Sequence, residues 1–432
     1  MGRLAASYVS GRTHKVSATD TSARLVSGLR PSGHLTLGHY HAVIRRWTEL
    51  QYHHDAYFLI ADWNALAVSG HAPHEIEQYS WAMVIDCLAC GINPKVATLF
   101  IQSWVPELTD VHMILSSVTP KAWLERLPSY REMVAGLGEQ QGASFAMLGA
   151  PLMQAADILA LRGEVVPAGP EQRAHIEFTR EVARRFNHRY GRDAGFEEQA
   201  ERAIARLGKK SGRLYREWLS DYQEEGDLEA FERARGLLAE TSKLNRNQQE
   251  RLLGYLEGGG RRILGEPEHW QGDSQPLLGM ELKTRLSSHE EAIFLRSGRA
   301  EIGASVREMP TDPARVRRSD PGDPERCPLW SLHESFTPEA DRKWAAAGCR
   351  EASIGCLDCK GCLVEHIDAT LTPIRDRAEA LEGEHGKVRT MMTEGAERAR
   401  DTVRDTLDEL RRVIGLTYRP GSPDFSLLQE TS

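Results

Sequence analysis

Three groups of residues in this 432-residue chain have types and spacings that could do chemistry. The first is SGLRPSGHLTLGHY, residues 27–40, where a short apolar run passes through Gly28 and Gly33 into a helix start bearing Thr36, Gly38 and His39. Glycine lets a nucleotide approach the backbone, and a helix N-terminus offers unpaired N–H groups and a partial positive charge to phosphate. His39 could hydrogen-bond a phosphoryl group in transfer, although the same residues would also serve a tight βα turn with a structural histidine. The second is LKTRLSSHEEAI, residues 282–293, which begins like a phosphate-holding loop and ends like an acidic helix start. The third is a crowd of five cysteines, Cys327, Cys349, Cys356, Cys359 and Cys362, whereas Cys87 and Cys90 lie in an apolar helix as small buried residues do. In a cytosolic chain such crowding suggests a metal centre more than disulfides.

Alternating strands and helices must position these groups. Residues 24–28 read as a buried strand before the Pro/Gly turn, a periodic helix follows from about 36 to 51, and residues 57–62 and 97–101 are two more apolar strands. Helical patterns over about 74–89 and 152–161 separate or follow them. The alternation predicts an α/β fold with a doubly wound parallel sheet, whose ligands sit at the carboxyl ends of the strands, here the LRPSG turn and the Asp62 region. From 188 the texture becomes charged and helix-forming until Gly258-Gly259-Gly260, and Arg261-Arg262-Ile263-Leu264 then looks like a return to the sheet. In the last third Ala399, Val403, Leu407, Leu410 and Ile414 form one apolar stripe. Arg398, Arg400, Arg404, Arg411 and Arg412 lie off it, as a solvated face or an RNA contact.

The expected organisation is a tail at 1–23, a nucleotide-binding catalytic domain at 24–187 plus 261–300, a helical insertion at 188–260, a helical C-terminal domain with the cysteines at 301–418, and a tail at 419–432. No run of about 18 apolar residues could span a membrane, and the N-terminus lacks the apolar middle of a signal peptide, so a cytoplasmic location with no membrane partner is expected. The net charge of -8 and pI near 6.1 argue against wholesale polyanion binding and leave room for a local basic face.

The pattern Pro-Ser-Gly-x-x-Thr-x-Gly-His-Tyr at 31–40 resembles the class I aminoacyl-tRNA synthetases, with Thr36-Leu37-Gly38-His39 where their HIGH-type signature stands. The chain is similar in particular to the tryptophanyl-tRNA synthetases. The likeness continues through ADWNAL (61–66), TLFIQSWVPE (98–107), WLERLPSYREM (123–133), GAPLMQAADIL (149–159), VPAGPEQRAHIEFTRE (166–181) and RRFNHRYGR (184–192), and covers most of 24–418. It implies a Rossmann-type catalytic domain that takes ATP with Mg2+, the ion held largely by the phosphates. Gly28, Arg30, Pro31, Ser32, Gly38 and His39 would surround the phosphates, and Gly169, Glu171 and Gln172 would hold the ribose and adenylate. Asp157 matches the carboxylate that accepts the indole N–H, an acceptor left unpaired by any ring lacking that donor. Gln154 would stand beside it in the amino-acid pocket.

Three positions depart from the family pattern. Asn64 stands where the family has a pocket histidine, and Ala150 where it has a tyrosine whose hydroxyl helps hold the amino group. Aligned without gaps back from Ile293, Thr284-Arg285-Leu286-Ser287-Ser288 falls on the Lys-Met-Ser-Lys-Ser loop, and both lysines are gone. A preorganised donor there can be worth roughly 10²–10³ in rate as charge moves onto pyrophosphate. A one-residue slip would restore Lys283, and Arg285 remains nearby as an imperfect copy of a mobile ammonium. The spacing Cys327-x21-Cys349-x6-Cys356-x2-Cys359 resembles that of family members holding a [4Fe–4S] cluster, with a tetrahedral Zn2+ site as the competing assignment and Cys362 as a spare ligand.

The resemblance implies a ligase that activates tryptophan as its adenylate, charges tRNA through contacts of the C-terminal helices, and works as a homodimer. The departures support a second reading: a paralogue that activates another amino acid, or serves a biosynthetic or regulatory role without charging tRNA.

Overall fold

The computed structural model describes residues 23–68, 73–137, 142–169, 172–191, 195–257, 263–270 and 292–417. Among them five strands, β1 (Arg24–Leu29), β2 (Asp55–Ile60), β3 (Thr98–Ile101), β4 (Val165–Pro167) and β5 (Glu268–Trp270), form one parallel sheet of order β3-β2-β1-β4-β5. The chain builds outward from β1 to β3, then returns to the other side of β1 and continues outward through β4 to β5. That reversal is the expected doubly wound arrangement, and it opens a crevice at the carboxyl ends of β1 and β4.

The strands are apolar on both faces because helices cover both. Along β1 and β2, Leu25, Phe58 and Ile60 enter one core, while Val26, Tyr57 and Leu59 enter the other, as a period of two requires. The first core is closed by α1, which joins an α turn (Leu37–His39), a π segment (Tyr40–Ile44) and a further α run (Arg45–Leu50), and by α3 (Pro73–Cys90), α2 being the short helix Asp62–Val68 between them. The second is closed by α4 (Glu107–Ser116), α5 (Lys121–Glu125), α7 (Phe145–Ala160) and α8 (Arg173–Tyr190), with α6 (Pro128–Ala135) at the edge. Four helices, α9 (Phe196–Leu207), α10 (Lys209–Ser220), α11 (Leu228–Glu240) and α12 (Arg246–Glu257), share a third core in which the buried Tyr215 hydroxyl donates to Leu252 O at 2.7 Å.

Beyond β5 come α13 (Arg299–Glu308), α14 (Trp330–Phe336), α15 (Glu339–Arg350), α16 (Cys356–Glu382) and α17 (His385–Ile414). The last lies directly on β3. A Cβ at Gly395 would collide with Leu99 O, so glycine there lets the helix backbone rest on the strand, and Ala399, Val403, Leu407 and Leu410 continue the contact into the second core. Among the described residues no helix is long and apolar enough to cross a membrane.

Two expectations are corrected. Arg261 and Arg262 lie outside the described residues, and Ile263 and Leu264 are buried but form no strand. Asn187 takes their backbone instead: its Oδ1 accepts from Ile263 N at 2.9 Å and Leu264 N at 2.8 Å, and its Nδ2 donates to Leu264 O at 2.8 Å. The chain rejoins the sheet only at Glu268. Nor are most of the C-terminal arginines unpaired, although Arg398, Arg404 and Arg412 are exposed. Arg400 and Arg404 both donate to Glu107 Oε1, at 2.7 and 2.9 Å, Arg411 donates to Asp110 at 2.6 Å, and Arg398 donates to Pro94 O at 2.8 Å.

Candidate active site

The turn after β1 is built by its own side chains. Thr36 caps α1: its hydroxyl accepts from His39 N at 3.3 Å, while its own N–H donates to His39 Nδ1 at 3.2 Å, a reciprocal capping box with histidine in the place of the usual Glu or Gln. An amide can only donate, so Nδ1 is the acceptor and the neutral ring carries its proton on Nε2. Gly33, at φ +143°, makes the bend that a side chain would strain. Pro31 is buried, Gly38 is half-buried in the first helical turn, and Gly28, Arg30 and Ser32 are exposed at the mouth of the crevice. The π segment follows at once, a geometry common at functional sites.

The same turn holds the far end of the candidate loop. Leu37 N donates to Ile293 O at 2.8 Å, Leu295 N donates to Leu35 O at 2.9 Å, and Thr36 bridges Phe294 in antiparallel fashion. The near end leaves β5 at Trp270, on the carboxyl edge of the sheet. Lys283, Thr284, Arg285, Ser287 and Ser288 lie between these ends, outside the described residues, as does Glu171.

Deeper in the crevice Asp157, 3% exposed on α7, meets Gln102, fully buried in the 3₁₀ turn that leaves β3. Gln102 Nε2 donates to both carboxylate oxygens at 2.8 Å, and its Oε1 accepts from Asn64 N at 3.4 Å. Burial pushes the Asp157 carboxyl up to about 8; the Gln102 hydrogen bonds pull it down and the charge of Asp62 pushes it further up. Asp62 is itself raised by burial, against the N–H groups of Ser103 and Trp63 that donate to it at 2.9 and 3.0 Å. Asn64 turns its Nδ2 to the carbonyl of the buried Ala150 at 3.2 Å, so these two departures from the family pattern are bonded to each other.

A second chain of bonds runs to the nucleotide side. Gln154 Nε2 donates to Gln172 Oε1 at 3.4 Å, and Gln172 N donates to Gly169 O at 3.0 Å. Gln154 Oε1 is 2.7 Å from His175 Nδ1, and His175 Nε2 is 2.6 Å from the Ser129 hydroxyl. With the proton on Nδ1, as the Gln154 oxygen requires, Nε2 accepts from Ser129. Burial and the nearby Arg30 keep the imidazole pKa below its usual value, so the ring is neutral. The structure thus joins Asn64, Ala150 and Asp157 around Gln102, and Gln154, Gly169 and Gln172 through a second set of bonds. Sequence reasoning missed Gln102, Ser129 and His175. The one signal for Gln102 was a polar residue directly after the apolar run of β3, where a doubly wound sheet places its ligands.

The cysteines form a separate site. Cys327, Cys349, Cys356 and Cys359 line one cavity with Arg315 and His333. Arg315 Nη1 lies 3.7 Å from Cys349 Sγ, and His333 Nε2 lies 3.2 Å from Cys359 Sγ. Burial and then the charges of Cys327, Cys349, Cys356 and Cys362 push the Cys359 thiol up to about 12. Cys362 does not line the cavity; the charges acting on it are those of Asp341 and Glu365. Among the described residues no three His, Cys, Asp or Glu side chains converge as ligands of a single metal ion. The four cysteines of the expected metal group nevertheless line this one cavity.

A family model described as class I tRNA synthetases (W and Y) matches residues 18–211. The tryptophan–tRNA ligase of Ralstonia nicotianae is 44% identical over 395 residues, 91% of this chain and 99% of that protein. The tryptophan–tRNA ligase of Thermotoga maritima is 30% identical, over 91% of this chain and 100% of its own. In fold, the chain is similar to the tryptophanyl-tRNA synthetase of Campylobacter jejuni solved with ADP and tryptophan, with a TM-score of 0.67 at 22% identity over 91% of this chain and 100% of that one. With its crevice at the strand reversal and a relative 44% identical across nearly the whole of both chains, the protein belongs to the tryptophan–tRNA ligase family of class I tRNA synthetases.

Proposed function

We propose that the protein activates tryptophan with ATP and transfers it to tRNA. The tryptophan carboxylate attacks the α-phosphorus of ATP, the bond to pyrophosphate breaks, and tryptophanyl-adenylate forms. A terminal ribose hydroxyl of tRNA then displaces AMP from the carbonyl carbon. The observation that carries this reading is Asp157, a buried carboxylate whose two oxygens are held by Gln102. It would accept the indole N–H and leave a phenyl or phenol ring unmatched, because a buried acceptor without a donor loses its desolvation energy. Arg30, Ser32 and the N-terminus of α1 would receive the phosphates, and His39 would donate from Nε2 to a phosphate oxygen. Lys283, Thr284, Arg285, Ser287 and Ser288, strung between Trp270 and Ile293, would take the departing pyrophosphate. Mg2+ bound with ATP would offset phosphate charge.

The near-complete match to tryptophan–tRNA ligases favours this over the repurposed paralogue. Amino-acid-dependent ATP–pyrophosphate exchange over the standard amino acids tests it. Exchange with tryptophan alone is expected; exchange with a different amino acid, or none, would overturn it.

The four cavity cysteines would hold a [4Fe–4S] cluster. Four thiols lining one cavity, at the sequence spacing x21, x6 and x2, support this reading, with a tetrahedral zinc ion as the alternative. The guanidinium of Arg315, with its buried Nε unpartnered, offers positive charge to such an anionic group. When bound, the cluster would tie the segments around Cys327, Cys349 and Cys356 together. A visible absorption band lost in Cys356→Ser is the expected sign. Residues 188–260 would be an insertion carrying its own core, with 24–187 plus 261–300 as the catalytic unit and 301–418 the C-terminal one. Contact with tRNA would fall to exposed arginines such as Arg389 and Arg412 on α17, the others being committed internally. The exposed Met113 (70%) and Phe145 (79%), on the mutually packed α4 and α7, fit an interface with a second copy. A cytoplasmic location would suit this reaction.

A further inference from the structure

Gln102 has no part in the reaction as written, yet its side chain hydrogen-bonds both oxygens of Asp157. Its side-chain amide has one orientation. Oε1 accepts the Asn64 N–H that opens α2, so the NH2 end must face the carboxyl, where it lies 2.8 Å from each oxygen. Contact with both oxygens favours the ionised carboxylate, which accepts well at either one, over the neutral acid, whose hydroxyl oxygen is the poorer acceptor. Gln102 is fully buried, so water cannot replace its N–H groups.

We propose that Gln102 is a positioning residue for tryptophan selection: it fixes the Asp157 carboxyl in place and favours its acceptor form toward the indole N–H. This deepens the ligase reading and rests on it. The surroundings explain why such a residue is needed. Burial and the charge of Asp62 both favour protonation of Asp157, and the Gln102 hydrogen bonds are the opposing influence. Several titratable groups on the helices packed against α7 are occupied elsewhere. His112 on α4 is near Gly149, at the opposite end of α7 from Asp157; Glu107 is held by Arg400 and Arg404 of α17; Lys121 and Glu125 of α5 pair with each other; and His175 of α8 bonds to Gln154. Without Gln102 the carboxyl would keep its proton to higher pH, and an indole N–H would meet a donor.

The test compares wild type with Gln102→Met, a neutral residue of similar length, in ATP–pyrophosphate exchange. The substrates are tryptophan and its benzothienyl analogue, in which sulfur replaces the N–H. In the variant the KM for tryptophan should rise tenfold or more while the KM for ATP stays unchanged. Its kcat/KM for tryptophan should reach half-maximum at a higher pH than in wild type, and the preference for tryptophan over the analogue should shrink at least tenfold. Gln102→Glu is the second variant, read if the methionine protein does not fold. Two carboxyls would then share a proton, and kcat/KM for tryptophan should become bell-shaped in pH. An unchanged pH profile and unchanged preference in the folded variants would overturn the proposal while tryptophan-dependent exchange in wild type left the ligase reading standing. No such exchange in wild type would remove both.

Discussion

The amide N–H of Leu37 donates to the carbonyl of Ile293 across 2.8 Å, joining the first helical turn of the site to the segment that follows residues 271–291. With Trp270 at the end of β5, this fixes both ends of the candidate pyrophosphate loop on the carboxyl edge of the sheet.

Because the loop is anchored there, its remaining cations should act on the leaving group. Replacing Lys283 and Arg285 together by Ala should lower kcat for pyrophosphate exchange about 10²–10³-fold with little change in the KM for tryptophan. The single replacements, measured the same way, will show which cation reaches the phosphates.

Thr36 caps α1, and its hydroxyl, 3.0 Å from His39 Nδ1, joins its amide in holding the His39 ring. Thr36→Val should cost about 1 kcal/mol of stability in denaturant unfolding and lower kcat as well. Thr36→Ser, which keeps the hydroxyl, should restore both. A loss of stability with kcat intact would separate the cap from the chemistry.

Asp157 has a raised pKa, so the folded protein binds a proton that the unfolded chain has released from its own Asp. The stability this gives is complete below about pH 4 and is lost as pH rises toward about 8. Without substrate, the wild-type unfolding midpoint should fall across that window, and in Asp157→Asn the fall should be smaller. The same substitution should raise the KM for tryptophan, since the amide sets an NH2 against either Gln102 or the indole.

Much of this was legible in the sequence. The apolar runs that became β2 and β3 could only be strands covered on both faces, and the glycine-rich turn after β1 announced a ligand edge. Asp157 was found through the family pattern. Gln102 was not, because its role depends on a partner 55 residues away and nothing local distinguishes it. The apolar pair Ile263 and Leu264 looked like a strand because sequence cannot show that Asn187, 76 and 77 residues earlier, takes their backbone bonds. Periodicity likewise showed which side of α17 carries arginines but not that Glu107 and Asp110 pair with three of them.

That last difference has its own consequence. Arg400→Ala and Arg404→Ala should each cost up to about 1 kcal/mol of stability, since these pairs are partly exposed, and leave the KM for tRNA unchanged. Arg412→Ala should do the reverse, raising that KM at low salt with the unfolding midpoint intact.

The central claim, that this site makes tryptophanyl-tRNA, is tested most directly by charging. Purified protein, ATP, Mg2+ and labelled tryptophan should esterify transcribed tRNA(Trp), and no other tRNA should accept the label. Adenylate formation without any charged tRNA would contradict the account and return the protein to the reading of a repurposed paralogue.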